Sequence, residues 1–186
     1  MDIDTILLEA EEKMAKTEEV VTHEFTTVRT GKASPSLIEN VLVEAYGGQM
    51  RIRELAGITT PEPRSLVIQA WDHTTLHAIE KGIQKANLGL NPVIDGKIIR
   101  ISIPELSEER RVEFTKIAKR MAEEGRVAIR HVRREALENL KKLGKQGGFT
   151  EDQIQIADKQ VQTLTDEYSG KVDKHLEHKE KEIMTI

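Results

Sequence analysis

The chain contains no cysteine, which excludes disulfides, thiolate metal sites and a cysteine nucleophile. Aromatic residues make up only 3%: three Phe, two Tyr and one Trp in 186 residues. A core built on stacked rings is therefore out of reach. Proline is scarce and confined: the five prolines are Pro35, Pro61, Pro63, Pro92 and Pro104. No apolar run approaches the roughly 20 residues of a spanning helix. The opening Met1-Asp2-Ile3-Asp4 is acidic and lacks the basic start of a secretory signal. These absences predict a soluble cytoplasmic protein with no membrane partner.

What is abundant is charge. Asp, Glu, Lys and Arg account for 32% of the chain, above the ~25% of an average domain. Such a composition suits either disorder or long solvated helices, and apolar spacing decides between them. Ile3, Leu7, Ala10, Met14, Val21, Phe25 and Val28 follow one another at steps of three, four or seven. That is a heptad seam, and it predicts a first long helix. A second opens at Ser107, an N-cap followed by Glu108 and Glu109, which suit the positive helix end. Its expected seam is Phe114, Ala118, Met121, Gly125, Ala128, Val132, Ala136, Leu140 and Leu143, ending at Gly144. The third opens on a capping box, Thr150 with Gln153, and continues through Ile154, Ala157, Val161, Leu164, Tyr168, Val172 and Ile183. Helices with one narrow apolar stripe must bury it against each other, which predicts a three-helix bundle.

Residues 31–105 differ from their flanks. Residues 40–46, 65–71 and 97–103 alternate and carry β-branched side chains, so they read as strands, with short strands possible at 50–53 and 57–60. Residues 74–86 read as one helix, and residues 87–92 with Asp95-Gly96 as turns. All five prolines lie in this stretch. The predicted fold is thus α+β: a discontinuous long three-helix bundle (1–30 and 106–186) with an inserted small β/α/β domain (31–105). Two strands of chain connect them, and such a connection reads as a hinge at Thr30, Gly31 and Pro35 on one side and Pro104 and Glu105 on the other.

Charge is unevenly spread. Residues 1–30 hold 3 basic and 8 acidic side chains, the insert 8 of each, residues 106–149 hold 12 basic and 7 acidic, and residues 150–186 hold 5 and 9. The overall net charge of −4 conceals one basic helix. Within it Lys119, Arg126, Arg130 and Arg133 fall in a stripe about 60° wide, expected opposite Met121, Ala128 and Val132, with Lys116 and Arg134 flanking. Clustered arginine on one helix face is the footprint of a nucleic-acid backbone contact. The same residues would equally serve as ion-pair partners of the acidic first and third helices.

Catalytic and metal chemistry find little support. His73 and His77 have the four-residue spacing of a zinc helix but lack the glutamate that should follow the first. Gly47-Gly48 and Gly147-Gly148 lack the lysine–serine of a phosphate loop. No cofactor, metal or catalytic residue is expected. Two non-enzymatic classes remain: an RNA- or ribosome-binding factor acting through the basic helix, and a coiled-coil-like adaptor or chaperone cofactor acting through the bundle surface.

Four stretches favour the first. They are Arg29-Thr30-Gly31-Lys32-Ala33-Ser34-Pro35-Ser36-Leu37, Asn87-Leu88-Gly89-Leu90-Asn91-Pro92, Leu106-Ser107-Glu108-Glu109-Arg110-Arg111, and Arg126-Val127-Ala128-Ile129-Arg130-His131-Val132-Arg133-Arg134. In this order and at this length the chain resembles the bacterial ribosome recycling factors. It departs from their usual pattern at Ala45-Tyr46-Gly47 and at Gly48-Gln49-Met50-Arg51. The resemblance implies a monomer that binds the post-termination ribosome, with the bundle on ribosomal RNA of the large subunit. It further implies that, with elongation factor G and GTP hydrolysed by that partner, the factor splits the subunits, and that the insert swings on its hinge and faces elongation factor G. The RNA-binding residues it implies are Arg130 and Arg133, with Arg126, Arg134 and Lys119 behind them.

Overall fold

In the computed structural model, described for residues 2–185, the chain gathers into two compact units. One is formed by the chain up to Thr30 together with the chain from Ser107, the other by Gly31–Leu106. The elements in order are α1 (Ile3–Thr27), β1 (Leu42–Ala45), β2 (Gly48–Arg51), α2 (Ile52–Leu55), β3 (Ala56–Glu62), β4 (Ser65–Ala70), α3 (Leu76–Lys85), β5 (Asn91–Asp95), β6 (Ile98–Ser102), α4 (Glu108–Gln146) and α5 (Glu151–Met184), with 3-10 turns at Pro35–Leu37 and His73–Thr75.

The first unit is a three-helix bundle of α1, α4 and α5, which are 25, 39 and 34 residues long. Each helix starts on a side-chain cap. Asp2 accepts from Thr5 N and Ser107 from Arg110 N. Thr150 Oγ1 accepts from Gln153 N while Gln153 Oε1 accepts from Thr150 N, the reciprocal arrangement expected of a capping box. α4 does not stop at Gly144 as expected. It runs on to Gln146, and the break falls at Gly147 with φ 80°. Gly144 lies inside the helix, and a Cβ there would meet Ile154 at an ordinary 3.5 Å, so neither a helix stop nor a close approach requires a glycine at this position.

The bundle core forms two clusters along its length. One gathers Met14, Val21, Phe25, Ala118, Ala122, Ile129, Tyr168 and Val172; the other gathers Ile6, Ala10, Ala136, Leu140, Ala157 and Val161, and half-buried Val132 packs against both. Ile6 is the buried member of the first turns, while Ile3 and Leu7 lie half-buried beside it. Small side chains let the helices approach closely. A Cβ added at Gly125 would collide with Val21 Cγ2.

The second unit contains a four-stranded antiparallel sheet in the order β3-β4-β6-β5, and a separate hairpin β1-β2. Ile68 pairs with Ile58 and Ile99, and Ile99 with Ile94, so one sheet face is a row of isoleucines. That face packs with Ile79 and Ile83 of α3 and with Ile38, Val43 and Ile52 in one aliphatic core. The β1-β2 turn, Tyr46-Gly47, has φ 54° and 77°, the two positive values of a two-residue hairpin that keeps strand twist. The departure from the family pattern at Ala45-Tyr46-Gly47 is therefore compatible with a closed hairpin.

Two expectations for this unit need correction. Residues 50–53 are not one strand: β2 ends at Arg51 and Ile52–Leu55 make a helical turn. Asn91-Pro92, read as a turn, opens β5. That strand is an edge, where a proline that cannot donate is tolerated.

Candidate nucleic-acid interface

The basic helix is α4, and its cations divide into two sets by where they point. The buried line of the helix is Ala118, Ala122, Gly125, Ile129 and Ala136, whereas Ala128 and Val132 are only half-buried. The stripe of Lys119, Arg126, Arg130 and Arg133 was expected half a turn from the core. It lies roughly a quarter turn from the buried line, at 100° per residue. The cause is that α4 packs against two helices, so its buried arc is set by both and not by the broader apolar stripe alone.

The inner side of the stripe consequently meets α5. Arg126, with its side chain 25% exposed, donates from Nη1 to Asp173 Oδ1 at 2.5 Å and from Nε to Glu123 Oε2 at 2.8 Å. Arg133 Nη1 donates to Gln162 Oε1 at 3.2 Å, and its Nε is buried with no acceptor among the described residues. The Lys119 ammonium lies 3.3 Å from Glu180 Oε1 without hydrogen-bond geometry, which is why that oxygen has close charge but no hydrogen-bond donor. The bracing role weighed from sequence is thus present for these three, toward α5 only. The pair between α1 and α4 uses other residues, Lys13 and Glu135 at 2.7 Å.

The outer side is different. Arg130, 45% exposed, donates from Nη2 to Glu123 Oε1 at 2.6 Å. Arg134 and Lys116 are exposed and have no hydrogen-bond or ion-pair partner among the described residues. Arg120 is exposed on the same side, 4.0 Å from Glu124. Arg120 and Glu123 escaped the sequence reading. Their signal was available: Glu123 stands three and seven residues before Arg126 and Arg130, a spacing that puts all three on one face. Hydrogen bonds from Arg130 and then Arg126 hold the Glu123 carboxyl below its ordinary value of 4.5. A face with Lys116, Arg120, Arg130 and Arg134 turned to solvent can bind phosphates by direct forks and point charges.

The chain connections contain the other residues singled out. Gly31 has φ 79°, and Thr30, Pro104 and Glu105 lie in neither helix nor strand. Pro35 opens the 3-10 turn capped by Ser34. The β3-β4 turn fastens both connections: Ala33 N donates to Pro63 O at 2.7 Å, Ile103 N donates to Arg64 O at 2.8 Å, and the Arg64 guanidinium pairs with Glu105.

His77 is exposed and lies 3.6 Å from Glu80. Among the described residues no group of three or more His, Asp or Glu is placed to hold a metal ion, and no helix is long and apolar enough to cross a membrane.

Comparison with known proteins bears on this arrangement. The family model described as ribosome recycling factor matches residues 21–184. The ribosome-recycling factor of Bacillus subtilis is 49% identical over 181 residues, 97% of this chain and 98% of that one. That of Nitratidesulfovibrio vulgaris is 48% identical over 186 residues, the whole of both chains. A solution structure of a ribosome recycling factor is 41% identical with a TM-score of 0.79, covering 100% of this chain and 99% of that one. A second structure, 43% identical with a TM-score of 0.68, covers 99% and 100%; it is the T. thermophilus ribosome recycling factor, described together with E. coli elongation factor G bound to the E. coli post-termination complex. These comparisons do not favour the adaptor reading. With relatives of near-equal length along its whole span and two solved folds of the same architecture, this chain belongs to the ribosome recycling factor family.

Proposed function

We propose that this chain binds the post-termination ribosome and, together with elongation factor G and its GTP hydrolysis, separates the subunits so that both can be used again. It works in the cytoplasm as a monomer and hydrolyses nothing itself. The bundle rests on large-subunit RNA through α4, and the insert receives the action of elongation factor G. The observation that supports the RNA contact is the solvent side of α4, where Arg130, Arg134, Lys116 and Arg120 stand on one exposed face. Arg126, Arg133 and Lys119 border that face and are steadied by α5.

Charge-assisted bonds to phosphate are worth roughly 1.5–3 kcal/mol each. Arg130→Ala or Arg134→Ala should therefore weaken binding to large subunits about tenfold, at ~1.4 kcal/mol per decade. Melting should barely change, because exposed charges shift stability by under ~0.5 kcal/mol. Arg133→Ala should lower both affinity and melting temperature, because Arg133 also bonds Gln162. Unchanged affinity in both the Arg130 and Arg134 variants would end the assignment. The activity itself is tested by adding the protein with elongation factor G and GTP to post-termination ribosomes and following light scattering; the expected result is a fall as subunits separate.

The connections at Thr30–Pro35 and Pro104–Glu105 act as a hinge in this reading. Gly31, with φ 79°, supplies the backbone freedom in this reading. Fluorescence transfer between a dye in α5 and one in the insert should give a broad distance distribution in the free protein. A single narrow distance would reject the hinge.

A further inference from the structure

Glu123 occupies an unusual place for an acid on a face that binds phosphate. Its two oxygens are taken by two different arginines: Oε2 by Arg126 Nε at 2.8 Å and Oε1 by Arg130 Nη2 at 2.6 Å. Arg126 is held from its other end by Asp173 at 2.5 Å. These four side chains, two cations and two anions, have no net charge when seen from a distance, although three of them stand in the middle of the basic helix and only Asp173 comes from α5. A carboxylate bridging two guanidinium groups has the acceptor arrangement of two non-bridging phosphate oxygens.

We propose that Glu123 is an internal phosphate mimic that makes the α4 face selective: it takes one N–H each of Arg126 and Arg130 in the free protein and yields only to a phosphate that both guanidinium groups can grip. This rests on the reading that the face binds ribosomal RNA. The argument has two parts. An exposed ion pair is weak, so Glu123 can be displaced by a well-placed phosphate. A loose RNA strand, by contrast, is held chiefly by net charge and counterion release, and Glu123 cancels one of the charges it would feel. Glu123 also holds both guanidinium groups in place, so a shaped RNA meets donors that are already ordered. The depressed Glu123 carboxyl agrees with a group kept ionised by these contacts.

The test is Glu123→Gln, measured on poly(U) and on isolated large ribosomal subunits. On poly(U) the affinity should rise about fivefold, the effect of one unit charge at close range in water. The log–log salt slope should steepen by about 0.7, the single-strand value per phosphate contact. On large subunits the gain in charge is offset by the loss of ordered forks, so affinity should change by less than about twofold and the selectivity ratio should fall. Glu123→Asp keeps the charge and should keep poly(U) binding low. Unchanged poly(U) binding in Glu123→Gln, an equal rise on both RNAs, or Glu123→Asp behaving like Glu123→Gln would each overturn the proposal. Arg130→Ala serves as the companion measurement. If it leaves large-subunit affinity unchanged, the interface reading falls and this proposal with it. If it weakens binding while Glu123→Gln leaves the ratio intact, Glu123 alone has been misassigned.

Discussion

The two units are held together by different means. The insert is a contiguous stretch with one aliphatic core, rich in isoleucine: Ile38, Ile52, Ile68, Ile79, Ile83, Ile99 and Ile101 are essentially inaccessible to water. The bundle buries smaller groups, Ala10, Ala118, Ala122, Gly125, Ala136 and Ala157, and divides its larger side chains between two clusters. It compensates at the rims, where Lys13–Glu135, Arg126–Asp173 and His175–Glu18 cross from helix to helix. Long thin helices expose most of their surface, so only the narrow contact line can be apolar. A short sheet with a helix on it encloses more volume with fewer residues. The unit proposed to carry phosphate contacts is thus the one already dense in charge, while the insert holds only 8 basic and 8 acidic side chains.

The contrast can be broken at its ends. The largest effect is expected in the insert. Ile68→Ala removes a fully buried side chain at the centre of the sheet, and such changes cost about 3–4 kcal/mol. The loss should appear in the fluorescence of Trp71, the chain's one tryptophan, which is 72% exposed and stands against Gly57. Helical circular dichroism should keep its own transition. If both signals collapse together, the cores are not independent.

A smaller effect is expected in the bundle. Gly125→Ala drives a methyl into Val21, at an overpacking cost of about 1–3 kcal/mol. Helix propensity returns about 1 kcal/mol, leaving a net loss near 1 kcal/mol. Adding Val21→Ala should recover more than additivity allows, because the two sites touch. A Gly125→Ala protein more stable than its parent would show that the close helix approach carries no weight.

The smallest effect is acid sensitivity. A hydrogen bond from Lys13 holds the Glu135 carboxyl below its ordinary 4.5. A carboxyl lowered on folding lends stability above its unfolded value and loses it as pH falls through the lower folded value. The bundle melting temperature should thus decline as pH drops below about 4.5, and Lys13→Met should flatten part of that decline. Parallel curves for the two proteins would remove this pair from the account.

How much could be read beforehand follows the same division. The bundle announced itself: the Ser107 cap and the Thr150–Gln153 box are local signals that appear as expected, while the buried seams are shifted, to Ile6 in α1 and to Ala122 and Ile129 in place of Met121 and Ala128 in α4. Where α4 ends was misread because Gly144 is only one of several nearby glycines, and the backbone turns to positive φ at Gly147 instead. In the insert β1, β4 and β6 were legible from alternation, while β3, the longest strand, was read only as a short one at 57–60. β5 was hidden because Pro92 and Asn91 look like a turn until the edge of a sheet is there to take them. The basic stripe was found by residue, but its direction was not. Whether an arginine faces solvent or Asp173 depends on which helix lies beside it, and spacing within one helix holds no record of its neighbour.

The interruption of the bundle by the insert has a consequence for how the chain is made. A polypeptide leaving the ribosome presents its N-terminal end first. α1 therefore emerges with Ile6, Ala10, Met14, Val21 and Phe25 on one side and none of their partners yet synthesised. Gly31–Leu106 follows as a stretch that forms a compact unit of its own, so it is expected to close while α1 still waits. Only when α4 and α5 arrive can the first helix be covered. The nascent chain thus spends the synthesis of more than a whole inserted unit with an apolar stripe in the open, and that interval is when it is most exposed to chaperones, proteases and its own neighbours.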